Sequence, residues 1–152
     1  MGLELRIPPV AVTLIAAGAM WGANATLPQL AFLPRLQGVA AVLIGAIGVL
    51  VCALGVFRFR RYGTTVDPFK PHAATELVAD GIYRFSRNPM YLGFAIILAA
   101  WAAYLANAAA WGLLPMYLWY LQKFQIGPEE RALLRLYGTQ YEAYARRVRR
   151  WI

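Results

Sequence analysis

Residues 36–57 read LQGVAAVLIGAIGVLVCALGVF, without one charged side chain. A bilayer's hydrocarbon core, about 30 Å thick, takes roughly 20 apolar residues of helix. The block therefore reads as a transmembrane helix, and the rest of the chain repeats the pattern. On its N-terminal side, residues 9–27 are also uncharged. Their flank (Glu4 and Arg6) is weak, and the run is long for the apolar part of a signal peptide, so this is read as a retained helix. On the C-terminal side, residues 89–120 carry no charge, with Asn107 near the middle. They predict two shorter helices, over 91–105 and 109–124, folded into a hairpin. At 61% apolar and mean hydropathy +0.50, the chain is too apolar for a soluble core of 152 residues. The expectation is an all-α, polytopic integral membrane protein of one domain with about four transmembrane helices. Residues 1–57 form its first helix pair; residues 58–152 form a loop, the hairpin and a C-terminal helix.

The net charge is +8, and its distribution tests the span count. Arg58, Arg60, Arg61, Lys70, Arg84 and Arg87 fall between helices two and three; Lys123, Arg131, Arg135, Arg146, Arg147, Arg149 and Arg150 follow helix four. Arg35 alone lies between helices one and two, and the hairpin tip has no charge. Four spans place both clusters on one side, and the positive-inside rule makes that side, with both termini, cytoplasmic. Nucleic-acid binding is not expected, since these cations lie beside apolar spans rather than on a soluble face.

Small residues recur in the second span at Ala41, Gly45, Gly48, Cys52 and Gly55, one stripe on a helix, and Gly18 and Gly22 stand at GxxxG spacing in the first. Such stripes let backbones approach in lipid, so helices one and two are expected to pack together. The loop 58–88 is broken by Gly63, Pro68, Pro71 and Gly81, yet carries Phe69, Leu77, Val78, Ile82, Tyr83 and Phe85. It is expected to be ordered against the membrane face. Asn88 and Pro89 suit the cap and first position of helix three. After Gly127, Pro128 begins a new helix, with Glu129 and Glu130 where acids complement the helix dipole. Residues Leu133, Leu134, Tyr137, Tyr141, Tyr144, Val148 and Trp151 recur every three or four positions, which predicts one amphipathic helix lying against head groups or the loop.

Three segments carry chemistry: residues 75–84, residues 86–93, and Pro128-Glu129-Glu130 with Tyr137-Gly138 and Tyr141. The second sets a cation, an amide and a phenol around a helix N-terminus, a natural anion site. The third adds two carboxylates, so the pair suits a zwitterion. Arg84 and Arg87 also read as snorkelling anchors, and Glu129 and Glu130 as helix caps. His72 is the sole histidine and Cys52 the sole cysteine, so no disulfide framework and no metal site are expected. No phosphate-binding glycine loop or nucleophile elbow occurs, and the spans hold no acid or base of the kind that marks an ion pathway.

The run Leu77-Val78-x-x-Gly81-x-Tyr83-Arg84-x-x-Arg87-x-Pro89-x-Tyr91-x-Gly93, with Glu129-Glu130 and Tyr137-Gly138-x-x-Tyr141-x-x-Tyr144, resembles the isoprenylcysteine carboxyl methyltransferase family, in particular its small bacterial members. Phospholipid methyltransferases share a looser form of the pattern. The resemblance covers roughly residues 63–152. It implies an integral membrane enzyme, in a bacterial inner membrane, that uses S-adenosylmethionine to methylate a lipid or prenyl-type acceptor entering from the bilayer. Carried over by position, the cofactor contacts are Thr75, Glu76, Leu77, Val78, Tyr83, Asn88, Pro89, Met90, Tyr91, Glu129 and Glu130, with Glu129 facing the cofactor. Arg84, Arg87 and Gln125 are the candidate catalytic residues. Thr75 and Asn88 stand where the family often has histidine, and Gln125 where eukaryotic members have an arginine that holds the acceptor's carboxylate. The reading from a different class is a non-enzymatic lipid-binding or assembly factor that keeps the fold.

Overall fold

The computed structural model describes residues 7–28, 37–62 and 77–152, and all regular structure in these segments is helical. Helix α1 spans Pro9–Thr26. Pro9 takes the first helical position, where its missing N–H is not needed, and Pro28 follows the end. Thr13 donates to the Pro9 carbonyl at 2.8 Å and lies 2.8 Å from the Tyr117 hydroxyl, which links α1 to α4.

Helix α2 spans Gln37–Arg61 and ends on Arg58, Arg60 and Arg61, cations that suit the negative end of the dipole. Its 25 residues extend about 37 Å, more than a bilayer core. Among the described helices it is the one long and apolar enough to cross a membrane, over Gly38–Arg61; Pro89–Leu105 is a shorter apolar helix. The outward side chains Val39, Val42, Leu43, Val49, Leu50 and Phe57 are all exposed.

The small stripe of α2 does not meet α1, as the sequence suggested; it packs on α3 (Pro89–Leu105). The reason is that α3 supplies matching small residues. A Cβ at Gly48 would stand 2.8 Å from the Gly93 carbonyl oxygen, and one at Gly93 would stand 2.7 Å from the Gly48 carbonyl oxygen. Gly45 faces Ala100, and Gly55 faces Pro89 and Met90. Helix α1 packs instead on α4 and α3, and no described heavy atom lies within 4 Å of where a Cβ would stand on Gly18 or Gly22.

The hairpin expected over 89–120 is present. Ala106, at φ 48°, and Asn107 turn the chain from α3 into α4 (Ala108–Leu121). Asn107 is fully buried and satisfies both ends of its amide. Its oxygen accepts from the Ala109 N–H at 2.9 Å, and its nitrogen donates to the Leu27 carbonyl at 2.8 Å, tying the tip to the end of α1.

Helix α4 does not stop at a break before Pro128. Gln122–Ile126 form a π-helical turn that runs without interruption into α5 (Gly127–Tyr137). The Gly127 N–H donates to the Gln122 carbonyl, five residues back. Pro128 has no N–H, and its ring would crowd the carbonyl of Phe124; the wider turn accommodates both. The single amphipathic helix expected after Pro128 is two helices. Gly138, at φ 49°, donates to the Leu134 carbonyl at 2.9 Å and ends α5, and α6 (Thr139–Arg147) follows.

Candidate functional site

Five stretches meet at one end of the helix bundle: the end of α2, residues 77–88, the first turn of α3, the start of α5, and α6. They enclose a cavity of about 100 Å³, partly open to solvent.

Residues 77–88 cover the cavity because both neighbours hold them. Arg58 Nη1 lies 3.1 Å from Asp80 Oδ2, and Gly81, at φ 56°, leaves room for the Arg58 guanidinium that any Cβ would strike. A 3-10 turn, Gly81–Arg84, then sets the Tyr83 ring edge-on to Phe59 at 5.3 Å. From the other side, the Tyr144 hydroxyl donates to the Tyr83 carbonyl at 2.8 Å. Tyr141, Tyr144 and Val148 pack with Leu77, Ala79 and Leu133, so α6 buries its apolar face against the covering segment. The chain after α6 is stitched to the start of α3: the Arg87 N–H donates to the Arg149 carbonyl at 3.0 Å, and Asn88 Nδ2 donates to the Arg150 carbonyl at 3.1 Å. Asn88 thus occupies the N-cap position of α3 while its amide serves Arg150.

The two acids of α5 differ. Glu130 is paired twice: its oxygens lie 3.2 Å from Arg87 Nη2 and 2.5 Å from Arg150 Nη2, with Arg150 Nε at 3.0 Å. That pairing raises the pKa of Arg150. Glu129 accepts a short hydrogen bond from the Tyr91 hydroxyl and meets no cation among the described residues. Burial pushes the Glu129 carboxyl up to about 7; the Tyr91 hydrogen bond opposes this and the charge of Glu130 adds to it. Burial likewise raises the Tyr83 and Tyr144 phenols, and brings Tyr141 to about 12, so all three stay neutral. Two buried polar atoms on the lining residues, the Tyr83 hydroxyl and Arg87 Nε, have no partner among the described residues.

Of the residues expected at a site, Leu77, Val78, Tyr83, Arg87, Asn88, Pro89, Met90, Tyr91, Glu129 and Glu130 line this cavity. Thr75 and Glu76 lie outside the described residues. Arg84 is exposed and Gln125 is fully buried, its amide donating to the Ile7 carbonyl at 2.7 Å; neither lines the cavity. Tyr141 and Tyr144, named in the motif but not assigned a role, also line it, as do Phe59 and Leu133, which the sequence did not place there. The tyrosines and Leu133 carried a signal in their three- and four-residue spacing; Phe59, in the last turn of an apolar span, carried none. Among the described residues no cluster of metal-ligating side chains occurs.

The all-helical fold thus gathers an aromatic-walled cavity and a carboxyl held by Tyr91 at one end of its apolar helices. The chain belongs to the phospholipid methyltransferase family, whose model matches residues 36–140. It is 38% identical over 63 residues to an uncharacterized protein of Haemophilus influenzae, across 41% of this chain and all of that one. It is 36% identical over 72 residues to the protein-S-isoprenylcysteine O-methyltransferase of Schizosaccharomyces pombe, across 47% of this chain and 30% of that one. A probable protein-S-isoprenylcysteine O-methyltransferase of Oryza sativa subsp. indica is 30% identical over 102 residues, 67% of this chain and 53% of that one. The chain thus spans about a third to a half of these two named relatives. The resemblance to isoprenylcysteine methyltransferases is borne out. No solved structure matches.

Proposed function

We propose that this chain transfers a methyl group from S-adenosylmethionine to an apolar, lipid-like acceptor dissolved in the membrane. The observation that carries the reading is Glu129: a carboxyl held by Tyr91 in an aromatic-walled cavity, with no cation on it among the described residues. Such a carboxyl is completed by a positively charged ligand, and the surrounding rings favour one further. The cofactor supplies an electrophilic methyl on a sulfonium and carries a second positive group, so the residues present fit it. Glu129 meets positive charge, and the Tyr83 hydroxyl and Arg87 Nε serve its polar groups. Leu77, Val78, Pro89 and Met90 give apolar wall, and Glu130 keeps Arg87 and Arg150 in place. Positioning is the chain's main contribution, which in well-aligned cases supplies about 7–11 kcal/mol.

The membrane part of the proposal is a four-span topology with the cavity and both termini cytoplasmic, in a bacterial inner membrane. Its support is the exposed apolar face of α2, the exposed Val10, Leu14, Ile15 and Trp21 of α1, and the clustering of arginines at the cavity end. An acceptor that is already nucleophilic, such as a carboxylate, suits a site whose named polar groups include no dedicated base.

Purified protein is expected to bind S-adenosylmethionine and its demethylated product in calorimetry. Glu129→Gln and Tyr91→Phe should each weaken binding roughly tenfold, the scale of one lost charge-assisted contact. Glu142→Gln, on an exposed face of α6, should leave it unchanged. Absence of binding by the parent, or equal affinity in all three variants, overturns the reading.

A further inference from the structure

A second cavity opens on the flank of α4, lined by Leu118, Trp119, Gln122, Lys123 and Arg150. It shares no residue with the first cavity. The two are joined through one ion pair, because Arg150 in the second holds Glu130 in the first. The polarity of this flank runs along the helix. Below the cavity α4 exposes Met116; at the cavity stand Trp119 and then Lys123, with Gln122 beside it. Lys123 is not a free surface lysine: its ammonium lies 5.0 Å from the Trp119 ring centre and 5.5 Å from that of Phe124. Those contacts fix a cation at the rim. Charge is in excess there, since Glu130 is the one carboxylate shared by Arg87 and Arg150, and Lys123 forms no ion pair among the described residues.

We propose that this cavity binds a single acidic phospholipid from the adjoining leaflet, its phosphate at Lys123 and Arg150 and its acyl chain along Trp119 and Met116. An apolar flank leading to Lys123, a fixed cation with no carboxylate on it among the described residues, beside an arginine that shares its one carboxylate with Arg87, matches that amphiphile and no zwitterionic one as well, because a choline or ethanolamine group would meet the same cations. The site is a docking position beside the reaction cavity, and it stands whether or not the cofactor reading does.

The test uses the full chain in nanodiscs of phosphatidylcholine doped with brominated phosphatidylglycerol or, in parallel, brominated phosphatidylcholine. The component of the quenching that is lost in Trp119→Phe reports this cavity. The acidic lipid is expected to quench at a several-fold lower mole fraction than the zwitterionic one. Lys123→Gln should abolish that difference, Lys123→Arg should keep it, and Arg146→Gln, an exposed cation on α6, should keep it too. Added inorganic phosphate should not displace the lipid. Equal quenching by the two lipids overturns the proposal. So does an equal loss in Lys123→Gln and Arg146→Gln, which marks diffuse attraction, or displacement by free phosphate, which marks a site for the ion. If Lys123→Gln fails to fold, Gln122→Glu, which sets an acid at the rim, should reduce the difference, and its failure to do so overturns the proposal equally.

Discussion

Two adjacent carboxyls at the start of α5 meet different surroundings: Glu130 lies between Arg87 and Arg150, Glu129 against the Tyr91 hydroxyl. With a folded value of about 7 against 4.5 for a free carboxyl, folding favours the protonated form of Glu129. Its contribution to stability is complete below the unfolded value and is lost as pH rises through the folded one. A bound cation reverses the preference. Cofactor affinity is therefore expected to rise with pH between about 5.5 and 7, with a proton released on binding. Calorimetry in buffers of different ionisation enthalpy counts that proton, and Glu129→Gln should remove it. A flat affinity with no proton exchanged rules Glu129 out as the cation's partner. Gln125 raises a different expectation. Its position in the family pattern suggested that an arginine there would improve recognition of a carboxylate acceptor, but the side chain is fully buried on the Ile7 carbonyl. Gln125→Arg should bury a guanidinium at a cost on the order of 3 kcal/mol or more, seen as a lower melting temperature and folded yield. Faster methylation of a prenylcysteine analogue at an unchanged melting temperature contradicts this.

Among the elements, α2 and α3 meet most closely, and their interface is set by glycine. Gly93→Ala and Gly48→Ala each force a methyl onto the facing backbone and should cost about 1–3 kcal/mol. Gly18→Ala, with open space around it, should be neutral or slightly stabilising. Thermal unfolding in detergent separates the two groups; equal effects mean that the stripe is not an interface. The stripe itself was legible, since its spacing is a property of one helix. Its partner was not, because spacing is silent about which of several apolar helices presents small residues at the right height. The hairpin was legible from Asn107 and the uncharged run, and the site from fixed polar positions in order. The break at Gly138 was not, since the apolar spacing continues across it while the backbone does not. Phe59 and Arg58 were hidden for a related reason. They act through the fold that brings residues 77–84 back over α2, which no local pattern encodes.

On the scale of the whole molecule, every residue assigned to the cavity sits at the end of the bundle that carries the arginines, and the Asn107 turn marks the other end. A cysteine in place of Ala108, which is exposed beside that turn, and one in place of the exposed Arg61, each in a Cys52→Ala background, should react with impermeant thiol reagents from opposite faces of sealed vesicles. Labelling from the same face removes the four-span arrangement and leaves α2 as the one helix among the described residues long and apolar enough to cross. The cavity would then have to be reached by acceptors from water.

The π-helical turn at Gln122–Ile126 also sets a phase. A helix advances about 100° per residue, so one residue more or less before Glu129 decides which way the acid points. The widened turn works as an indexing notch between a rod that sits among apolar helices and a segment that must aim a carboxyl at Tyr91. An alanine inserted after Gln122, in a turn that is already widened, should leave the helical content by circular dichroism nearly unchanged and swing Glu129 by about 100° off the cavity, with cofactor binding lost. Retained binding would reduce the notch to strain relief for Pro128. If binding is lost, length at this point is under tighter control than composition: side chains here are exchangeable, and an added residue is not.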